Sequence, residues 1–272
     1  MRKFLPLIAL FLTTTFTYAV NEDSSYFRKY KVTNVKVMLR LPMLINKTDT
    51  CLFREREIND KGLTTKMIMD NGCLGYESRV ETSYTYDERD NIVGIQVMEN
   101  DKIQALVSYE FDSLNREVKE VYRWFEPYPD SSTNITTYSS MDKEFDSLVT
   151  MTFVQGDTLI NKRKYFWNNG KKIKIAEFNG VTGKQVSQTI FKYDLQNRLS
   201  RYEYSNFEEY DVDQVTTYTY NDKGRVYRTE DVLNEMKAEF YYYHSGLKGK
   251  SFYYNKFGDL EREELYEYEF AK

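Results

Sequence analysis

Histidine is almost absent from this chain: His244 is the only one in 272 residues. A Ser-His-Asp centre would have to use it. It stands among turn residues in YYYHSGLKGKS, and no G-x-S-x-G elbow accompanies it. His244 therefore reads as a loop histidine and Ser245 as a turn residue. Cysteine is nearly as scarce, with Cys51 and Cys73 alone, so metal centres built on imidazole and thiolate lack ligands. Asp49-Thr50 lacks the spaced oxygens of a calcium loop. GLKGKS imitates a phosphate loop, but the pattern's first glycine would fall on His244, and the segment lies between strand patterns. Neither a cofactor nor a metal is expected. A basic excess is also missing. The formal charge is −4, which argues against nucleic acid and against electrostatic attachment to anionic lipid. Proline is rare, at four residues, and helical spacing is hard to find.

The one long apolar run is at the start. Arg2-Lys3, then FLPLIALFLTTTF, then Thr17-Tyr18-Ala19 has the basic, apolar and small-residue order of a secretory leader. We expect residues 1–19 to be a signal peptide cut after Ala19, the alternative being a retained N-terminal anchor. No later segment is apolar enough to cross a membrane as a helix. The expected location is thus secreted, periplasmic or at the bacterial cell surface. There Cys51 and Cys73 are expected to pair across the base of a hairpin, the alternative being two free buried thiols. Residues 20–50 are the least repetitive and read as an N-terminal strand or cap. Residues 51–272 form the repeat domain, with a joint at 126–134 in EPYPDSSTN.

The repeat is a short phrase. Tyr220-Asn221-Asp222-Lys223-Gly224-Arg225-Val226 is the clearest copy, and Tyr193-Asp194-Leu195-Gln196-Asn197-Arg198-Leu199 a close second. Further copies begin at Asn59, Asp87, Asp112 and Asn255. Another, one residue short, begins at Asn168, and a decayed one lies near Tyr138–Phe145. An aromatic ends a strand, Asn or Asp hydrogen-bonds the backbone two residues on, and Gly, Asn or Asp three residues later tolerates positive φ. This predicts a type I turn closed by one left-handed residue. Weaker turns between the copies make each unit two strands and two turns. Period-two strands such as ELYEYEF and RYEYS agree, with an aromatic face against a charged one. The fold class is all-β, an antiparallel meander of repeated hairpins forming a curved or spiralling sheet or a soluble barrel. An outer-membrane barrel is disfavoured, because Arg201, Glu203, Arg228, Glu230, Glu267 and Glu269 occupy what would be its lipid face.

The phrase resembles the YD-repeat (Rhs-type) family, whose units carry Tyr-Asp, two variable residues, Gly, Arg and an aliphatic. The resemblance covers roughly Ile58 to Leu260 and is best at Tyr220–Val226 and Tyr193–Leu199. It implies spiralling antiparallel sheet, which in that family sometimes forms a shell around a toxin domain. The chain is also similar to short secreted bacterial proteins built from such hairpins, some of them soluble barrels.

The positive anomaly is aromatic content, with 25 Tyr and 17 Phe. Most of these rings are expected to fill strands. Where both faces of a strand carry rings, some must serve elsewhere, which makes Tyr165, Trp167, Tyr241, Tyr242, Tyr243 and Tyr253 the candidate ligand-binding residues. No catalytic residue is expected. Acids such as Glu261, Glu263, Glu264, Glu267 and Glu269 read as a solvated face rather than a glycosidase pair. The function expected is a non-catalytic protein that binds a surface glycan or cell-envelope protein through exposed aromatics. The alternative is an assembly protein docking a partner by its sheet. A carboxylate-dependent glycoside hydrolase ranks last.

Overall fold

The computed structural model describes residues 24–42, 50–125, 130–139, 147–154, 157–207 and 213–271. The leader at 1–19, residues 126–129 of the joint, the decayed turn after Ser139 and residues 208–212 lie outside them. Alternation at period two resolves into eighteen strands. They are β1 (Val32–Arg40), β2 (Cys51–Ile58), β3 (Thr64–Asp70), β4 (Arg79–Tyr86), β5 (Ile92–Glu99), β6 (Lys102–Phe111), β7 (Glu117–Trp124), β8 (Asp130–Tyr138) and β9 (Ser147–Val154). There follow β10 (Asp157–Asn168), β11 (Lys171–Asn179), β12 (Gln185–Tyr193), β13 (Leu199–Asn206), β14 (Gln214–Tyr220), β15 (Val226–Asp231), β16 (Met236–Tyr242), β17 (Lys248–Tyr254) and β18 (Leu260–Phe270). Each strand pairs with the next in chain order, and β1 pairs with β18 as well as β2. The meander is therefore closed in its hydrogen-bond order, an 18-stranded antiparallel β-barrel, and among the described residues no strand is left as an edge.

The repeated phrase is the turn predicted. At Asn59, Asp87, Asp112, Asp194, Asn221 and Asn255 the residue three places on donates its N–H to the first residue's carbonyl. The first side chain then accepts from the N–H groups two and four places on. The left-handed position is filled by Gly62, Asp90, Asn115, Asn197, Gly224 or Gly258, with φ of 81°, 67°, 67°, 65°, 76° and 83°. Two copies depart. Asn169 and Gly170, with φ of 49° and 72°, make a two-residue turn, which accounts for the missing residue. The Asn255 turn follows β17, whereas the others follow even-numbered strands. The turn that continues their series opens at Tyr243, whose backbone makes the same two bonds to Gly246 and Leu247 without a side-chain acceptor.

Five of the tyrosines also tie neighbouring units together. The hydroxyls of Tyr86, Tyr138, Tyr193, Tyr220 and Tyr268 donate to the carbonyls of Thr64, Glu117, Lys172, Leu199 and Lys248 at 2.6–2.7 Å. Each acceptor lies just beyond the preceding turn, so one unit's tyrosine pins the exit of the last. The arginine of the phrase completes the link. Arg116 and Arg198 each donate through Nε to the Asp of their own turn at 2.7 Å, and their guanidinium carbons lie 4.2 and 4.4 Å from the ring centres of Tyr138 and Tyr220. Tyr138 keeps this role where the phrase itself has decayed.

Contacts divide the chain into two compact units. The first comprises the described residues up to Gln104 with Tyr242–Lys250 and Glu264–Ala271. Its core is apolar. Helix α1 (Ser24–Tyr30), which the sequence pattern did not announce, buries Phe27 to 1% exposure among Val32, Val35, Val37, Ile58, Leu247 and Tyr266. Burial of such a ring contributes about 2–3 kcal/mol. The helix rests on two turn glycines. A Cβ on Gly62 would meet the Ser24 carbonyl at 2.2 Å, and one on Gly246 the Tyr26 ring at 2.5 Å. Beside this core, Leu39 and Phe53 pack on Cys73, which is joined to Cys51 across the base of the β2–β3 hairpin.

The second unit comprises Ala105–Tyr241 and Ser251–Glu263. Its buried residues mix Val107, Tyr109 and Leu148 with small or polar ones: Ala105, Ala176, Ser187, Ser251, Glu120 and Asn134. The β18 acids need correction. Glu263 and Glu264 are 7% and 3% exposed rather than solvent-facing, because Glu264 shares the buried face with Tyr266 and accepts its hydroxyl at 2.7 Å.

Candidate functional site

The richest convergence of side-chain chemistry is on β10 and β11, in the second unit. The two-residue turn pairs Trp167 with Lys172, and a bulge between Phe166 and Trp167 then shifts the register by one residue, pairing Tyr165 with Ile175 and Arg163 with Glu177. Side chains two apart share a face. Tyr165 and Trp167 accordingly stack at 6.5 Å between centres and 25° between planes. The Lys172 ammonium lies 5.0 Å from the first ring centre and 5.6 Å from the second. Burial lowers the Lys172 pKa, and the Arg163 charge lowers it further. Its main chain is fixed as well, since the Lys172 carbonyl accepts the Tyr193 hydroxyl.

Arg163 donates through Nε to Glu177 at 2.5 Å, and Glu177 also accepts the Ser187 hydroxyl. Desolvation opposes the charge of Arg163, but Glu177 and the Tyr165 hydroxyl outweigh it and hold the guanidinium above its ordinary pKa. Glu117 lies within electrostatic reach of Arg163. Burial, aided by Glu120, pushes its carboxyl up to about 7 while Arg163 opposes the shift. Glu120 accepts from Asn134 Nδ2 at 2.6 Å. Burial also raises Tyr138, to about 12, with Glu117 adding to it. The face thus offers a flat ring pair, a half-buried ammonium and a fixed guanidinium–carboxylate pair. That set can bind a polyhydroxylated ring by stacking and by directional hydrogen bonds.

Of the six candidate aromatics, Tyr165 and Trp167 come together here. In the second unit Tyr253 instead meets Phe240 edge-on at 6.5 Å under the Arg262 guanidinium, 3.9 Å from the ring centre. Tyr241, on the opposite strand face, meets Phe252 at 5.4 Å. In the first unit Tyr242 is half-buried at the end of β16. Tyr243 opens its turn, half exposed, against Tyr268 at 6.4 Å. Sequence reading missed Arg163, Lys172, Glu117 and Glu177. The usable signal was the density of cations around the rings in NKRKYFWNNGKKIK. Among the described residues no group of three His, Cys, Asp or Glu could hold a metal ion, and no helix is long and apolar enough to cross a membrane.

No family model matches the chain, and no curated protein matches it. Among solved structures it is similar to the Tc holotoxin pore of Photorhabdus luminescens, at 12% identity and a TM-score of 0.40, over 78% of this chain and 12% of that one. It is similar to a porin-like protein from Bacteroides uniformis at 11% identity and a TM-score of 0.47, over 88% of this chain and 97% of that one. A structure of TcdB2-TccC3-Cdc42 matches at 13% identity and a TM-score of 0.41, over 85% of this chain and 14% of that one. The chain thus spans only a small part of the toxin chains it matches.

Proposed function

We propose that this is a secreted, non-catalytic β-barrel protein that binds a glycan on the Tyr165–Trp167 ring pair. The observation that carries the reading is the stacking of those two rings with Lys172 on the same strand face. Both rings remain partly open to solvent. Their hydrogen-bonding neighbours Arg163, Glu177 and Ser187 are locked to one another, which lowers the ordering cost of binding. A glycan-array screen of the chain from Val20, with Trp167→Ala beside it, tests the reading. Specific binding that falls at least about tenfold in the variant, the loss of ~1.4 kcal/mol of ring contact, is expected. Equal binding by both chains, or a blank array from folded protein, overturns it.

The second reading, a protein that docks an envelope partner, draws support from apolar side chains at turn tips. Leu195 is 97% exposed and Phe257 77%, each in a phrase turn of the second unit. It predicts stable co-purification with one envelope protein and no affinity for glycans.

A further inference from the structure

The charge of the β10–β11 hairpin is opposite to that of the chain. Residues 161–179 carry Lys162, Arg163, Lys164, Lys171, Lys172 and Lys174 against a single acid, Glu177, in a protein whose formal charge is −4. Glu177 is already engaged by Arg163 and Ser187. Three of the lysines lie against rings of the same hairpin. Lys164 lies 5.4 Å from the centre of the Phe178 ring, Lys174 5.6 Å from that of Phe166, and Lys172 over Tyr165 and Trp167. Lys162, Lys164 and Phe166 are exposed on the other face of the same hairpin.

We infer that the glycan taken by this hairpin is acidic: a polymer of carboxylate-bearing sugars, with the pyranose ring on Tyr165 and Trp167 and its carboxylate on the Lys172 ammonium. The inference rests on the glycan reading above and specifies its ligand. Two arguments support it. Lys172 sits partly desolvated near a second cation, so an incoming carboxylate supplies the counter-charge that the hairpin lacks, and a charge-assisted bond in such a setting is stronger than one in open water. The remaining lysines make a local positive field that raises the encounter rate with a polyanion despite the acidic whole. Recognition of a nucleic acid would use the same charges, but a sugar carboxylate beside a ring matches the arrangement of one ammonium over two coplanar-leaning rings, whereas phosphate contacts would be served by the exposed lysines alone.

The test is binding of the full chain to polygalacturonate, to neutral dextran and to an oligothymidylate, with Lys172→Met and Trp167→Ala measured in parallel and folding checked by circular dichroism. Expected are saturable binding to polygalacturonate that weakens with salt, a loss of about tenfold or more in Lys172→Met, and at least tenfold weaker binding to dextran and the oligonucleotide. Binding to dextran that equals polygalacturonate, with Lys172→Met unaffected and Trp167→Ala weakened, overturns the acidic-sugar inference and leaves the glycan reading standing. Stronger binding to the oligonucleotide overturns the inference in favour of phosphate. No binding to either polysaccharide overturns the inference, and a blank array then removes the glycan reading as well.

Discussion

At the residue scale the repeated phrase is a device for joining neighbouring hairpins. Asp194 caps its own turn, Arg198 pairs with Asp194 and covers Tyr220, and the Tyr220 hydroxyl holds the Leu199 carbonyl. Tyr193→Phe removes one such hydroxyl and leaves the Lys172 carbonyl without it. The expected cost is about 1 kcal/mol, read as a lower urea midpoint at unchanged slope. Turn glycines divide into two classes. Gly224→Ala meets no atom within 4 Å and is strained only through its φ of 76°, so it should cost about 1 kcal/mol. Gly62→Ala adds a collision with the Ser24 carbonyl at 2.2 Å and should be markedly worse in the same denaturation series. Equal losses would mean that α1 does not rest on that turn. The turns were legible in sequence because an Asx side chain acts on backbone only two and four residues away. The tyrosine's duty was not, since its acceptor belongs to the previous unit.

At the element scale, titration separates the second unit from an ordinary sheet. The folded state raises the Glu117 carboxyl from 4.5 to about 7 through burial and Glu120, against the opposing charge of Arg163. The folded protein therefore binds the extra proton between those values. Stability from this group is present at low pH and falls as pH rises from about 4.5 to about 7. Asp112 and Asp194 work in the other direction. Burial opposes their charge, but hydrogen bonds from Arg116 and Arg198 outweigh it and hold both below the usual range, so their contribution fades in acid. Glu117→Gln should flatten the loss of stability between pH 5 and 7 in chemical denaturation, and an unchanged slope would remove Glu117 as its source. Element placement was partly legible. Alternation marked the β10 and β11 strands, but the turn's exact length set Trp167 opposite Lys172, and a one-residue difference there flips every side chain to the other face. Helix α1 escaped notice because its short, seven-residue pattern is stabilised by packing on Gly62 and Gly246 rather than by its own propensity.

At the scale of the whole molecule, closure is the property that local sequence did not disclose. A spiralling sheet and a barrel were both compatible with the repeat, because the deciding pairs join the two extremes of the meander. Ala271 donates to the Lys31 carbonyl at 2.8 Å, and Lys36 meets Glu269 at 2.6 Å. Nothing in either strand alone marks it as the other's partner. The functional account stands on a ring pair, Tyr165 and Trp167, that strand register holds in place and that stays partly open to solvent. Trp167 also makes that account directly observable, because Trp124 is the only other tryptophan. In a Trp124→Phe chain, titration with the best glycan from the array should shift or quench the fluorescence of Trp167 saturably, with the same midpoint as binding itself. Saturable binding that leaves the Trp167 emission unchanged would contradict the central claim and place the ligand elsewhere.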